Sequence, residues 1–187
     1  EEIVMFNKDA FIDACGKAVK EGQASVRSLV TEAVSDPASI MKELGEPKKA
    51  GIDLLHRSSD LTVINFIWSP YMTLIPHNHN MFAVIGVYNG REDNVFWKRA
   101  DNGLEAAGAD SLGVGDVRTL GHSIIHSVTN PLDKFSAAIH VYAGDFFEPD
   151  EPRSEWEHES LQERDWDVET TRRAFREAEE RYNAVNG

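Results

Sequence analysis

The sequence predicts a mainly β fold, a sandwich or barrel, with helices before and after it. Short apolar segments recur between residues 52 and 147, turn-forming residues separate them, and helical apolar spacing occurs on either side. The chain has 187 residues, enough for one domain with its own core. We therefore predict a single domain with a helical layer (1–45), a β-barrel (52–147) and an acidic tail ending in a C-terminal helix (148–187).

The N-terminal layer shows apolar residues at helical spacing, bounded by residues that start and stop helices. Asn7 is a predicted N-cap. The third helix begins at Pro37 and ends at Gly45, the usual placement of proline and glycine at helix ends. The predicted helices span residues 5–21, 24–34 and 37–44.

The central region contains nine short apolar segments that are predicted to be strands. Asn89-Gly90 and Asn102-Gly103 are strong hairpin signals, because both residue types adopt positive φ readily. Many short strands with such turns are typical of a sandwich or barrel. The predicted strands span residues 52–57, 61–68, 74–79, 82–89, 92–100, 104–111, 116–120, 124–129 and 135–143.

The C-terminal part changes composition again. Residues 148–168 are acidic and aperiodic, so they are predicted to run over the surface. Residues 169–183 are predicted to form a charged helix, with Thr170 or Thr171 as its cap and Phe175 on a thin apolar stripe.

Composition excludes some partners and predicts a compartment. The net charge of −13 argues against nucleic acid and anionic membranes, because both attract clustered Lys and Arg. No apolar run approaches the ~18–20 residues of a membrane span, and the first residues show no secretory pattern.

Cys15 is the only cysteine, which excludes an internal disulfide and is compatible with a reducing compartment. We predict a cytoplasmic protein.

The segment Pro76-His77-Asn78-His79 carries the first chemical signal. Alternate residues of an extended segment point to the same side, so His77 and His79 are expected to share a face. Two neighbouring imidazoles form half of a metal site, and imidazole suits zinc, copper, iron and nickel.

A third imidazole is expected from a later strand. His126 shares its face with Ile124 and Val128, a pattern that places one imidazole among inward-facing apolar side chains. We predict His77, His79 and His126 as metal ligands.

These residues carry a resemblance to the cupins. Pro76-His77-Asn78-His79 followed by Gly90 resembles their first motif, and the second motif is matched by Gly115, Gly121, His122, His126 and Asn130. A proline usual at Gly121 and a glycine usual at Ser123 are replaced. The resemblance implies a cupin double-stranded β-helix, a jelly-roll barrel, with N-terminal helices and a C-terminal helical tail added.

Within the cupins, the chain resembles the cysteine dioxygenase-like thiol dioxygenases. The glutamate that often follows the second histidine is absent, since Ala83 and Val84 occupy its positions. In the resembling family a histidine and a tyrosine stand beside the iron, which implies catalytic roles for His140 and Tyr142. It also implies Fe(II) as the cofactor and Arg57 as the group that binds the substrate carboxylate, with Arg118 as the alternative arginine.

The chain departs from that family at two places. Ala138 replaces the serine that usually precedes the histidine–tyrosine pair, so the relay is expected to be shorter or filled with water. The cysteine that crosslinks to the tyrosine in animal enzymes has no counterpart near His79, so no crosslink is expected. His122 has no assigned role.

The donor set suits sulfur oxidation. Three neutral imidazoles leave the charge of the ion intact, and a bound metal ion drives a thiol to thiolate. The expected partners are a small thiol carboxylate, such as cysteine or 3-mercaptopropionate, and O2, with a sulfinate as product. Two alternatives stay open. One is a zinc, manganese or nickel cupin enzyme that is an isomerase, a hydrolase or a dioxygenase of non-thiol substrates, and the other is a non-catalytic small-molecule-binding cupin.

Overall fold

The computed structural model describes residues 5–187. Its helices are α1 (Lys8–Glu21), α2 (Gln23–Val34), α3 (Pro37–Leu44) and α4 (Val168–Asn186). Its strands are β1 (Gly51–Arg57), β2 (Thr62–Trp68), β3 (Thr73–Asn78), β4 (Ala83–Asn89), β5 (Arg91–Ala100), β6 (Gly103–Gly113), β7 (Val117–Leu120), β8 (Ile125–Thr129), β9 (Ser136–Tyr142), β10 (Ser154–Trp156) and β11 (Glu163–Asp165).

The strands form two antiparallel sheets that face each other. One has the order β1-β2-β9-β4-β7, and the other has the order β11-β10-β3-β8-β5-β6. From β2 to β9 the chain passes back and forth between the sheets, which is the winding of a double-stranded β-helix. The predicted mainly β jelly-roll barrel, with helices before and after it, is therefore confirmed.

Apolar residues cover both faces of the first sheet. Ile64, Ile85 and other inward residues fill the space between the sheets. On the outer face, Val84 and Ile139 pack against the helical layer of α1, α2 and α3. Because this sheet is buried on both sides, β2, β4 and β9 are nearly continuous apolar runs rather than alternating ones.

The two predicted hairpin turns have different outcomes. Asn102-Gly103 lies at a true hairpin, because Ala100 of β5 is paired with Gly103 of β6. Asn89-Gly90 does not, because β4 and β5 belong to different sheets and the turn carries the chain between them. Gly90 has a φ of 71°, and a Cβ there would overlap Ser136. A glycine is required here for a crossing between sheets.

The acidic segment 148–168 differs from the predicted surface segment. It contains β10 and β11, and β10 pairs with β3 so that Glu155 lies opposite His77. Two residues of the segment itself, Arg153 and Trp156, are buried. This segment therefore closes one side of the barrel instead of only running over the surface.

The C-terminal helix closes the end of the barrel. Phe175 of α4 packs against Phe66 and Trp68. Its ring centroid lies 5.8 Å from that of Phe66 and 5.0 Å from that of Trp68. The N-cap is Asp167, whose side chain accepts from the Glu169 amide, and not Thr170 or Thr171 as predicted. Among residues 5–187, no helix combines the length and the hydropathy needed to cross a membrane.

Candidate metal centre

Three buried histidines converge inside the barrel. His77 lies on β3, His79 directly after it, and His126 on the neighbouring strand β8. Their ring centroids are 4.7 to 5.0 Å apart, and one ligand nitrogen from each lies within 4.8 Å of the others. The structure thus brings together the three predicted ligands.

A β-bulge in β3 directs His77 inward. Leu74 is paired with Val128 and His77 with His126, so two residues of β3 lie opposite one residue of β8. The extra residue lets Leu74 and His77 face the same side although three positions separate them. Pro76, which has no amide to donate, occupies the bulge.

Hydrogen bonds set the tautomers of two of these imidazoles. His77 Nδ1 lies 2.9 Å from the carbonyl of Ile75, and His126 Nδ1 lies 2.7 Å from Asn94 Oδ1. Both oxygens are acceptors here, so each Nδ1 carries the proton and each Nε2 is free. Within residues 5–187, the buried Nε2 atoms of His79 and His126 have no hydrogen-bond partner.

The environment keeps the three imidazoles neutral. Burial, and then the positive charge of Arg153, lowers the pKa of His77 to about 3. The pKa values of His79 and His126 are well below the ordinary 6.5, first because of burial and then because of the neighbouring imidazoles. Metal ions bind neutral imidazole, so the ligands are in the required state at neutral pH.

This donor set fits a divalent transition metal. It offers three neutral nitrogens, two of them buried and without partners, which is an unfavourable state in the absence of a ligand. In the part of the chain that the structure describes, the cluster includes no carboxylate. The hydrogen bonds to Nδ1 are the outer contacts that orient metal-binding histidines.

The opposite sheet supplies a histidine and a tyrosine. Tyr142 on β9 has its ring centroid 5.0 Å from that of His79. Its hydroxyl lies 3.0 Å from His140 Nδ1, and His140 Nε2 lies 3.1 Å from Glu92 Oε2. Burial raises the pKa of Tyr142, so the phenol is neutral. The expected short or water-filled arrangement beyond His140 is therefore corrected, because the Glu92 side chain lies in hydrogen-bond contact there.

A buried arginine stands beside these groups. Arg153 is 4% exposed, and its Nε and Nη1 donate to the carbonyls of Asn78 and Phe146. Its Nη2 has no hydrogen-bond partner within residues 5–187. Burial lowers the pKa of Arg153 to about 9, so the guanidinium is still a cation at neutral pH. An unpaired buried cation with a free donor is suited to an anionic ligand.

Two of the three clustered histidines, the His140–Tyr142 pair and Arg153 line one narrow cavity. The space inside is ≈ 10 Å³, about enough for one water molecule. Arg153 and Trp166 separate it from an outer cleft of ≈ 650 Å³. Its walls consist of aromatic and aliphatic side chains together with His77, His126, His140, Tyr142, Arg153 and Thr171.

The arginines singled out from the sequence lie elsewhere. Arg57 is not in the cavity lining, and its guanidinium pairs with Asp145 at 2.9 Å and with Glu148 at 3.2 Å. The placement of Arg57 at the substrate is therefore corrected, because the carboxylates of the turn after β9 hold it at the surface. Arg118 pairs with Asp110 at 2.8 Å and is 44% exposed.

The fourth histidine of the two motif regions is also outside the cavity. His122 is exposed and lies 3.1 Å from the carboxylate of Glu151. It therefore belongs to the surface.

Sequence reasoning missed three residues of the site. Arg153 lies in the acidic segment, whose three-residue strands are too short to show periodicity. Glu92 and Asn94 are 1% exposed and share a face of β5. Polar residues at alternate positions of a strand usually face water, so only the structure shows that these two face inward.

The comparisons with known proteins found similar solved structures at low identity. No family model matches the chain, and no curated protein matches it. A protein with a double-stranded β-helix domain from Klebsiella pneumoniae superimposes with a TM-score of 0.45 at 13% identity, covering 60% of this chain and 88% of that one.

Two further solved structures are similar to a comparable extent. An RmlC-like cupin from Methanocaldococcus jannaschii has a TM-score of 0.45 at 10% identity, covering 54% of this chain and 84% of its own. Oxalate decarboxylase from Bacillus subtilis has a TM-score of 0.40 at 17% identity, covering 49% of this chain and 22% of its own.

Proposed function

We propose that this protein is an Fe(II)-dependent dioxygenase that adds O2 to the sulfur of a small thiol carboxylate and yields a sulfinate. One observation carries the proposal: two members of a three-histidine cluster, a tyrosine held by a histidine and an arginine with a free donor line one narrow cavity. Each of these groups answers one requirement of the reaction, namely metal binding, orientation of the reactants and recognition of the carboxylate.

The three histidines would hold the metal ion. His126 and His79 would bind through the buried Nε2 atoms that lack partners, and His77 through the Nε2 opposite its bonded Nδ1. When bound, Fe(II) supplies the redox chemistry with O2 and lowers the pKa of a thiol ligand. The imidazole set also accommodates zinc, nickel or manganese, so the choice of iron rests on the reaction proposed.

Arg153 is the group that we assign to the substrate carboxylate, in place of Arg57. Its free Nη2 and its burial favour a charge-assisted hydrogen bond to an anion. Among the described residues that line the cavity, none carries a carboxylate. A ligand with a single anionic end is therefore favoured over one with a cationic end.

The cavity walls exclude water from the reactants. The cavity has room for about one water molecule, which is less than a thiol carboxylate occupies, so binding would displace that water and require the aromatic walls to move apart. Tyr142 lies on the wall opposite the three histidines, where its neutral hydroxyl is positioned to hydrogen-bond a bound reactant. His140 fixes the orientation of that hydroxyl.

The activity is tested with a panel of thiols and labelled oxygen. The iron-loaded protein is incubated with 3-mercaptopropionate, cysteine and cysteamine, which has an amine and no carboxylate. We expect oxygen uptake with a thiol carboxylate and not with cysteamine, and we expect both atoms of ¹⁸O2 in the sulfinate, since RSH + O2 gives RSO2H. No uptake with any thiol carboxylate contradicts the proposal.

The metal is tested separately. The metal-free protein is reconstituted with Fe(II), Zn(II), Ni(II) or Mn(II) and assayed under the same conditions. Activity with Fe(II) alone supports the proposed chemistry. Oxygen uptake that is equal with Zn(II) contradicts it, because Zn(II) has no redox chemistry.

A further inference from the structure

Two imidazoles from opposite sheets are joined by a continuous hydrogen-bonded chain through β5. Asn94 Oδ1 lies 2.7 Å from His126 Nδ1, and Asn94 Nδ2 donates to Glu92 Oε1 at 3.3 Å. Glu92 Oε2 lies 3.1 Å from His140 Nε2. The carboxylate of Glu92 is thus the meeting point of two branches, one from a metal ligand and one from the His140–Tyr142 pair.

Every donor in this chain is determined when Glu92 is a carboxylate and His140 is a neutral imidazole, because a carboxylate only accepts hydrogen bonds and a neutral imidazole has one donor nitrogen and one acceptor nitrogen. On one branch, Asn94 must present its amide to Glu92, so its oxygen faces His126 and that ring carries its proton on Nδ1. On the other branch, His140 must carry its proton on Nε2. Its Nδ1 is then an acceptor, and Tyr142 must donate to it.

Burial leaves the network no alternative partners in the structure. Glu92, Asn94 and His126 are each 1% exposed, and His140 is 2% exposed. No Lys or Arg within residues 5–187 forms an ion pair with Glu92. A reversed donor in this environment would leave two hydrogens or two lone pairs facing each other, which is costly in a buried site.

We propose that Glu92 is a positioning residue that fixes the tautomers of both His126 and His140, and so orients the metal ligand and the tyrosine together. It directs His126 Nε2 to the metal position and leaves the oxygen of Tyr142 facing the cavity as a hydrogen-bond acceptor. This assignment rests on the proposed metal site but not on the thiol chemistry.

The tautomers can be observed in the unaltered metal-free protein. Long-range ¹⁵N–¹H correlation of histidine-labelled protein distinguishes a protonated ring nitrogen from an unprotonated one. We expect the proton on Nδ1 of His126 and on Nε2 of His140, with signals assigned by loss in the His126→Asn and His140→Asn variants. The opposite tautomer at either ring, or a proton on both nitrogens of His140, overturns the proposal.

Glu92→Gln tests the carboxylate itself. A glutamine has one acceptor and one donor end, so it cannot accept from both Asn94 and His140. If its amide faces His140, that ring moves its proton to Nδ1. If its amide faces Asn94, that side chain flips and His126 moves its proton to Nε2. We therefore expect one of the two tautomers to change, and two unchanged tautomers in a folded variant contradict the proposal.

Zinc binding tells the two outcomes apart. A change at His126 should weaken the zinc affinity by about tenfold to a hundredfold, the usual effect of losing an outer hydrogen bond to a ligand. A change at His140 alone should leave the zinc affinity near that of the unaltered protein. Both are consistent with the proposal, because each follows from the single acceptor of glutamine.

Glu155→Gln is the matched control. Glu155 is also 1% exposed, but its carboxylate pairs with Arg164 at 2.8 Å. The same isosteric change there should leave both tautomers unchanged. If the predicted tautomers are found without any thiol oxidation, the proposed function fails and the role of Glu92 stands. If oxidation is found with the opposite tautomers, the reverse holds.

Discussion

The guanidinium of Arg153 lies 3.8 Å from the centre of the Trp166 ring, and 4.4 Å from that of Phe146. These two rings hold the cation by cation–π contact at the boundary between the inner cavity and the outer cleft. The orientation of the Arg153 guanidinium is therefore fixed before a ligand binds, with Nη2 as the free donor.

Replacing this arginine should weaken binding of thiol carboxylates. We expect Arg153→Met to raise the Kd of 3-mercaptopropionate for the metal-loaded protein by about tenfold or more, because a hydrogen bond to a charged group contributes about 1.5–3 kcal/mol. Calorimetry under anaerobic conditions measures it. Arg57→Met is the matched control, since that arginine pairs with Asp145 at the surface, and it should leave the Kd unchanged. A larger effect from Arg57 contradicts the assignment.

Metal content should depend on the buried histidines alone. We expect about one metal ion per chain in the unaltered protein after reconstitution, and almost none in His126→Ala, because two imidazoles seldom retain a divalent ion. Elemental analysis after gel filtration measures it. His122→Ala removes an exposed histidine only four positions away and should keep the full metal content. Metal retained by His126→Ala would show that the ion is held elsewhere.

The metal-free protein should lose stability as pH falls below neutrality. The folded-state pKa of His77 is about 3, below the ordinary 6.5, so the unfolded chain binds more protons in the interval between them. Stability is therefore present above about pH 6.5 and decreases as pH falls toward 3. Each such histidine contributes a slope of up to about 1.4 kcal/mol per pH unit.

Urea unfolding between about pH 7 and about pH 5.5 measures this slope above the main titration of carboxylates. His77→Gln should reduce the slope by up to about 1.4 kcal/mol per pH unit. Because the same carboxylates are present in both proteins, their contributions largely cancel in the comparison. Equal slopes would indicate that His77 titrates alike in the folded and unfolded states.

The contact between the helical layer and the barrel should be sensitive to one added methyl group. A Cβ at Gly86 would overlap Val30 and lie 2.8 Å from Val34 Cγ1, both on α2. We expect Gly86→Ala to destabilise the protein by about 1–3 kcal/mol, the usual effect of overpacking. Gly108→Ala is the control, since nothing lies within 4 Å of a Cβ there. Thermal unfolding of both variants measures the difference, and similar melting temperatures would contradict the packing described.

The barrel could be predicted from sequence because its strands leave strong local signals. All nine predicted strands are present within a few residues of their expected bounds. The two-residue period of a strand predicts that His77 and His79 share a face, and this prediction needs no tertiary information. The crossing at Asn89-Gly90 could not be predicted, because a turn signal does not specify which strands are paired.

The rest of the site depends on contacts between distant parts of the chain. Arg153 reaches the cavity because β10 pairs with β3, a contact between segments 75 or more residues apart. Glu92 becomes part of the site because β5 crosses near β9 of the other sheet. Neither contact leaves a local pattern in the sequence, so the resemblance points to Arg57 instead of Arg153.

The extra residue in the β3 bulge also affects the hydrogen bonding of His77. A chain lacking Ile75 would run as a regular strand there, and its imidazole would still point between the sheets because two positions would then separate it from Leu74. It would, however, lose the carbonyl that receives the Nδ1 proton of that ring. Such a shortened chain would keep the direction of the imidazole but lose the hydrogen bond that selects which ring nitrogen faces the other two histidines.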